Sequence, residues 1–334
     1  MGLAAYMEGD FTTAFRELLD AAKAGDAVAA NDIGVLYSTG RGTAIDPAEA
    51  ITWWRKAAEH GDDEASFNLA LAYLNGQGTP LDEATAAIWF RKAADSGNPS
   101  AQYNLGVLFH AGRGVPLDMV QAALWYRKAA DQGDIFAQKS LADMLTSGEG
   151  VAKNMAEAAR YFRLAAEQGD PQAERVLGAM YGNGIGVAKD QSEAVAWYAK
   201  AADQSDPQAA FNLGANYAAD NATPENKKRA YLWLSLAARG LEDDEARSAA
   251  IQARDDIALK LTAAERDQAE QQLDLWHPLN NGDVSVAKSE PTSGIFPGDK
   301  TNNIETSSNE TCRTTLRNSL GQSNQWAEGT AACR

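Results

Sequence analysis

The sequence predicts an all-α protein, a right-handed α/α superhelical solenoid built from 36-residue helix-turn-helix repeats. Three observations carry that reading. The stretch that opens at Gly61 and closes at Gly97 returns 36 residues downstream as NPSAQYNLGVLFHAGRGVPLDMVQAALWYRKAADQG, and 36 upstream as DAVAANDIGVLYSTGRGTAIDPAEAITWWRKAAEHG. Self-similarity at such a period marks a stacked array, and it overrides the two ordinary domains that a length of 334 residues would otherwise suggest. Two columns of Asp or Asn recur at fixed offsets, and between them apolar residues follow the i, i+3, i+4, i+7 spacing of a one-sided helix.

Taken in order, residues 1–25 read as a partial or capping repeat. Shifting the unit upstream puts a helix cap at Asp10, a small residue at Ala14 and an Ala-Ala pair at Ala21 and Ala22. The helix before it has only Gly2 to Glu8, about two turns, which is marginal alone. The expectation is that the native chain begins further upstream, with the rest of a helix, a signal peptide, or both.

Residues 26–240 hold six repeats. Asp26, Asp62, Asn98, Asp134, Asp170 and Asp206 are placed to cap the first helix of each, since an Asx side chain accepts from the orphan N–H groups of a first turn. Asp46, Asp82, Asp118, Asn154, Asp190 and Asn226 are the corresponding caps of the second. In the first helix, Ile33, Leu69, Leu105, Leu141, Leu177 and Leu213 are followed by a small residue: Gly34, Ala70, Gly106, Ala142, Gly178, Gly214. Glycine inside a helix costs roughly 0.5–1 kcal/mol relative to alanine, so its recurrence requires a steric reason, the close approach of the paired helix. A Gly-x-Gly turn then stops the helix, as at Gly40 and Gly42 or Gly112 and Gly114. These glycines follow a helix, with no strand before them and no Gly-Lys-Ser, so they are turn residues and not a phosphate loop. The second helix carries an aromatic pair and an alanine pair, such as Trp89, Phe90, Ala93 and Ala94; at helical spacing in every repeat they read as core.

The sixth copy degrades, with Asp220 and Ala222 in place of the glycines, as a terminal unit facing water does. Residues 241–277 supply two capping helices, about Asp243 to Leu259 and Ala263 to Trp276, the second with a capping box of Thr262 and Glu265. Residues 278–334 are rich in Ser, Thr, Asn and Gly, poor in aliphatics, and expected to be disordered. Cys312 and Cys333, the only cysteines, both lie there; they either pair in an oxidising compartment or remain free thiols.

The formal charge of −16 falls almost wholly on the repeats and disfavours nucleic acid as a partner, because phosphates are repelled by a net acidic surface. A basic protein or peptide suits it better. No uncharged apolar run is long enough for membrane insertion. The sequence as it stands shows no signal peptide and reads as cytoplasmic, or as periplasmic or secreted if the native start lies upstream.

The pattern of a small residue and Asx at the helix start, Ala-x-x-x-Leu-Gly-x-x-Tyr, Gly-x-Gly, then Asx-x-x-x-Ala-x-x-Trp-aromatic-x-Lys-Ala-Ala resembles the Sel-one-like repeat, a bacterial relative of the tetratricopeptide repeat. The resemblance covers residues 26–240, with 1–25 and 241–276 as caps. It implies an α/α solenoid with a concave surface, used as a scaffold or adaptor for proteins. The paired cysteines of the cysteine-rich branch are missing from these repeats, so the activity proposed for that branch is not carried over.

If Ile33, Gly34 and Tyr37 face inward, positions 28, 32, 35 and 39 point the other way and line the concave face. The candidate peptide-binding residues are therefore Asn68, Leu71, Asn104, Val107 and Asn212. An asparagine both donates and accepts, which suits an extended backbone or a terminal carboxylate, and the aliphatics add apolar contact. No catalytic residue, cofactor or metal site is expected. His60, His110 and His277 sit at different phases of the repeat and read as exposed helix-end residues. The function read from the chain is a monomeric, non-catalytic interaction scaffold. The alternative is a cell-envelope hydrolase or glycan binder, which needs Trp53, Trp89 and Trp125 to line an open cleft.

Overall fold

The computed structural model describes residues 2–219 and 222–276. The expected tail 278–334 with Cys312 and Cys333, together with His277, Asp220 and Met1, lies outside the described residues. Those that are described belong to one compact unit, residues 1–284.

Among the described residues there are helices and no strands. A short α1 (Gly2–Met7) and α2 (Phe11–Lys23) come first. Six hairpins follow: α3 (Ala27–Thr39) with α4 (Pro47–Glu59), α5 (Asp63–Asn75) with α6 (Glu83–Asp95), α7 (Pro99–Ala111) with α8 (Met119–Asp131), α9 (Ile135–Ser147) with α10 (Met155–Glu167), α11 (Pro171–Asn183) with α12 (Gln191–Asp203), and α13 (Pro207–Tyr217) with α14 (Pro224–Gly240). Finally α15 (Asp244–Ala258) and α16 (Ala263–Leu275) both pack on α14. From α1 to α15 each helix packs on the next, which makes the unit an all-α solenoid.

The starts of the helices follow from local chemistry. All six first-helix caps are observed, each side chain accepting from the N–H three residues on, as in Asp62 with Ala65 at 2.6 Å and Asn98 with Ala101 at 2.8 Å. The second column holds for Asp46, Asp82, Asp118, Asn154 and Asp190. It fails at Asn226. There the cap is Thr223, whose Oγ1 accepts from the Asn226 N–H, and Pro224 occupies the first turn. A hydroxyl followed by a proline with its pre-set φ starts a helix more strongly than an asparagine in register, so α14 begins earlier than the repeat predicts. The capping box of Thr262 and Glu265 is present.

The two glycines of each turn have separate jobs. The first, for example Gly112 at φ +65°, is the left-handed C-cap. The second is left-handed too, but it also seats the preceding repeat: a Cβ on Gly114 would stand 2.2 Å from the carbonyl oxygen of Glu83, at the start of α6. Gly42, Gly78, Gly150 and Gly186 meet Phe11, Pro47, Met119 and Met155 in the same way. The spacing between repeats is thus set by backbone against backbone.

The small residue inside the first helix meets the second aromatic of the pair. A Cβ on Gly34 would lie 2.5 Å from Trp54, on Gly106 2.6 Å from Tyr126, and on Gly178 2.8 Å from Tyr198. Where the column has Ala70 and Ala142, the partner is the smaller Phe90 or Phe162. Leu69, Leu105, Leu141 and Leu177 are fully buried, and the core runs without a break from Phe67 in α5 to Ala250 in α15.

Candidate protein-interaction face

The first helices present two sides. Positions equivalent to 29, 33 and 34 are buried in every repeat. Those equivalent to 28, 32, 35 and 39 are half-buried or exposed in every repeat, from Val28 at 51% to Phe136 at 47% exposure. The open side is therefore the one the helical spacing assigns, and Asn68, Leu71, Asn104, Val107 and Asn212 all stand on it, half-buried.

Their chemistry is more constrained than the sequence suggests. The Asn68 Nδ2 donates to Asn31 Oδ1 of the preceding repeat at 3.0 Å. The Asn104 Nδ2 donates to the Ser100 carbonyl in its own helix at 2.8 Å. Each keeps its amide oxygen and one N–H for another molecule. Leu71 and Val107 rest against the core with one side turned outward.

An aromatic group on the same side was not singled out by the sequence. Phe136, the only large ring in a column of Val28, Glu64, Ser100, Gln172 and Gln208, lies 5.8 Å from the Tyr103 ring, which in turn is 5.7 Å from Tyr126. The odd member of its column was the available signal. Burial pushes the Tyr103 and Tyr126 hydroxyls up from their ordinary range. Asp143, one repeat on from Val107, is exposed, and its carboxyl is nonetheless held above the usual carboxylate range by desolvation.

Cations on these helices are committed to the stack. Lys139 Nζ lies 2.8 Å from Asp170 and Arg175 Nε 3.1 Å from Asp206, each reaching the helix cap of the next repeat. His60 is exposed at the end of α4, its Nδ1 2.8 Å from the Lys56 carbonyl. His110 departs from the expectation: it is half-buried against Tyr126, and its Nδ1 is buried without a hydrogen-bond partner. The residue sits on the side of α7 that turns toward the second helix, and the ring of Tyr126 covers it. Trp53 and Trp125 are 7% and 3% exposed, with Lys56 and Lys128 over their rings, and Trp89 is half-buried beneath Lys92. A cleft of about 330 Å³ between α14, α15 and α16 is lined by Tyr231, Arg239, Arg254 and Glu270 and by none of the candidate residues.

The family model for the Sel1 repeat matches residues 27–62, 63–98, 99–134, 135–170, 171–206 and 207–240, all six hairpins. The chain belongs to the Sel1 repeat family. Proteins of this family are generally protein-interaction scaffolds and typically non-catalytic. A Sel1 repeat protein from Oxalobacter formigenes is 31% identical, with a TM-score of 0.63 over 71% of this chain and 98% of its own. The fold is shared with c5321, a protective antigen of uropathogenic Escherichia coli strains, at 24% identity and a TM-score of 0.63 over 91% of this chain and 88% of that one. Curated proteins give no match. Among the described residues of this Sel1 repeat protein, no helix is long and apolar enough to cross a membrane.

Proposed function

We propose that this Sel1 repeat protein is a monomeric, non-catalytic scaffold that holds an extended segment of a partner protein in its concave groove, along the open sides of its first helices. Asn68, Leu71, Asn104, Val107 and Asn212 are the contacts. The observation that carries this reading is the separation of roles within each repeat. The conspicuous glycines, alanines and aromatics are used up by packing, whereas the columns of Asn68 and Leu71 stay reachable and combine an amide with an aliphatic surface.

The free amide oxygens favour a donor-rich partner, a peptide presenting backbone N–H groups and basic side chains, over a terminal carboxylate. Asp143 and the acidic balance of the repeats act in the same direction, and against nucleic acid. Burial of Trp53 and Trp125, with Trp89 only half-buried beneath Lys92, weakens the glycan-binding or hydrolase reading. In this arrangement residues 1–25 and 241–277 cap the array of 26–240. The test is recovery of partners from the native cell by the full chain and by Asn68→Ala with Asn104→Ala. Loss of a partner that the unaltered chain retains supports the site, and identical recovery overturns it.

A further inference from the structure

A buried polar column runs through the middle joints of the stack. Gln102 in α7 is 4% exposed; its Nε2 donates to the Ala94 carbonyl at the end of α6 at 3.0 Å, and its Oε1 accepts from Gln132 Nε2 at 2.7 Å. Gln138 in α9, 2% exposed, repeats both contacts with Ala130 at 3.2 Å and Gln168 at 2.9 Å. Each glutamine thus ties the last turn of the preceding repeat to the last turn of its own, donating on one side and accepting on the other. In α11 the same position is Glu174, 3% exposed. Its Oε2 accepts from Gln204 Nε2 at 2.8 Å, so the accepting half of the pattern is kept. By the 36-residue register with Gln102 and Gln138, the other oxygen falls in the place of their donating amide, toward Ala166 in the last turn of α10.

We propose that Glu174 makes the joint between the fourth and fifth repeats proton-operated: protonated, its carboxyl donates to the Ala166 carbonyl and closes the joint as Gln102 and Gln138 do; ionised, it sets two acceptors face to face and loosens it. The reason is elementary. A carboxylate has no hydrogen to give, and a buried charge without a full set of donors is costly. The groups around Glu174 favour the proton. Burial is the main cause, Asp170 before α11 and Asp203 on α12 add negative charge, and only Gln204 and Lys200 on α12 oppose them. Together they raise the Glu174 carboxyl to about 7, and burial raises Asp203 to about 6. A carboxyl whose folded value is raised contributes stability that is fully present below its unfolded value, near 4.5, and is lost as pH rises through about 7. The joint therefore closes in mildly acidic surroundings and loosens toward alkaline ones, whatever the groove holds.

The experiment is amide hydrogen exchange of the full chain at pH 6 and pH 8, corrected for the intrinsic rate. In the unaltered chain, protection in the last turn of α10 and in α11 falls relative to α7 and α8 by a factor on the order of ten between pH 6 and pH 8. Glu174→Gln keeps that protection at pH 8, apart from the smaller contribution of Asp203, which Glu174→Gln with Asp203→Asn removes. The reciprocal variant Gln138→Glu gives the joint between the third and fourth repeats the same pH dependence. The proposal is overturned if Glu174→Gln loses protection between pH 6 and 8 as the unaltered chain does, or if Gln138→Glu leaves its joint indifferent to pH.

Discussion

Gly106 and Tyr126 occupy one space: a Cβ on the glycine would lie 2.6 Å from Cδ1 of the ring and 2.7 Å from Cε1. Alanine at position 106 would gain about 0.8–1.0 kcal/mol of helix propensity. It would lose about 1–3 kcal/mol to overpacking, because the second helix cannot retreat without disturbing its seat on the next repeat. The clash wins. Gly106→Ala is expected to destabilise the chain by about 1 kcal/mol in urea unfolding. Combining it with Tyr126→Phe should recover most of that loss, because a ring without a hydroxyl to house has room to shift; the repeat with Ala70 in place of the glycine carries Phe90 at that position. Simple additivity of the two changes would sink the pairing.

Turn glycines should differ in cost by position. Gly114→Ala forces a Cβ within 2.2 Å of a carbonyl oxygen, whereas at Gly169, with φ +85°, a Cβ would meet nothing within 4 Å. Gly169→Ala should cost about 1–2 kcal/mol, the price of a left-handed alanine alone. Gly114→Ala should cost clearly more, with both measured as shifts in unfolding midpoint.

Ser205 is the one described non-glycine residue with positive φ, +68°, in a column otherwise filled by Gly25, Gly61, Gly97, Gly133 and Gly169. Ser205→Gly is expected to stabilise by about 1 kcal/mol, since glycine adopts this conformation without the Cβ penalty. No gain in the thermal midpoint would contradict it.

Arg175 and Asp206 link the fifth repeat to the sixth at 3.1 Å, both partly shielded from water. Asp206→Asn keeps a helix cap and removes the charge, and should cost less than about 1 kcal/mol; Asp206→Ala loses the cap as well and should cost about 1–2 kcal/mol. A double-mutant cycle with Arg175→Gln separates the two contributions.

What was legible in the sequence was whatever is decided within a few residues. The six first-helix caps, the left-handed glycines and the capping box at Thr262 need only their own turn, so the residues around them specify them. The repeat register points to Asn226 as the cap of α14, but Thr223 with Pro224 carries the stronger local signal and takes its place. The seating role of Gly114 was invisible, since its partner Glu83 is on another repeat and the contact is to backbone, which leaves no side-chain signature. The open side of the first helices followed from periodicity, but the engagement of Asn68 with Asn31 did not, because both amides look solvated in sequence. Glu174 was hidden for the opposite reason. An acid on a helix is read as surface, and only the structure shows that it stands where its siblings are buried glutamines.

The seat made by the second glycine of each turn has an evolutionary reading. Because Gly114 receives the backbone of Glu83, and Gly150 that of Met119, this seat itself makes little demand on which side chain the neighbour carries, unlike the glutamine and ion-pair contacts beside it. As far as this seat is concerned, whole units can be duplicated or deleted, and only the side-chain contacts of the joint need re-matching at the seam. The length of such an array is free to change faster than the fold that supports it.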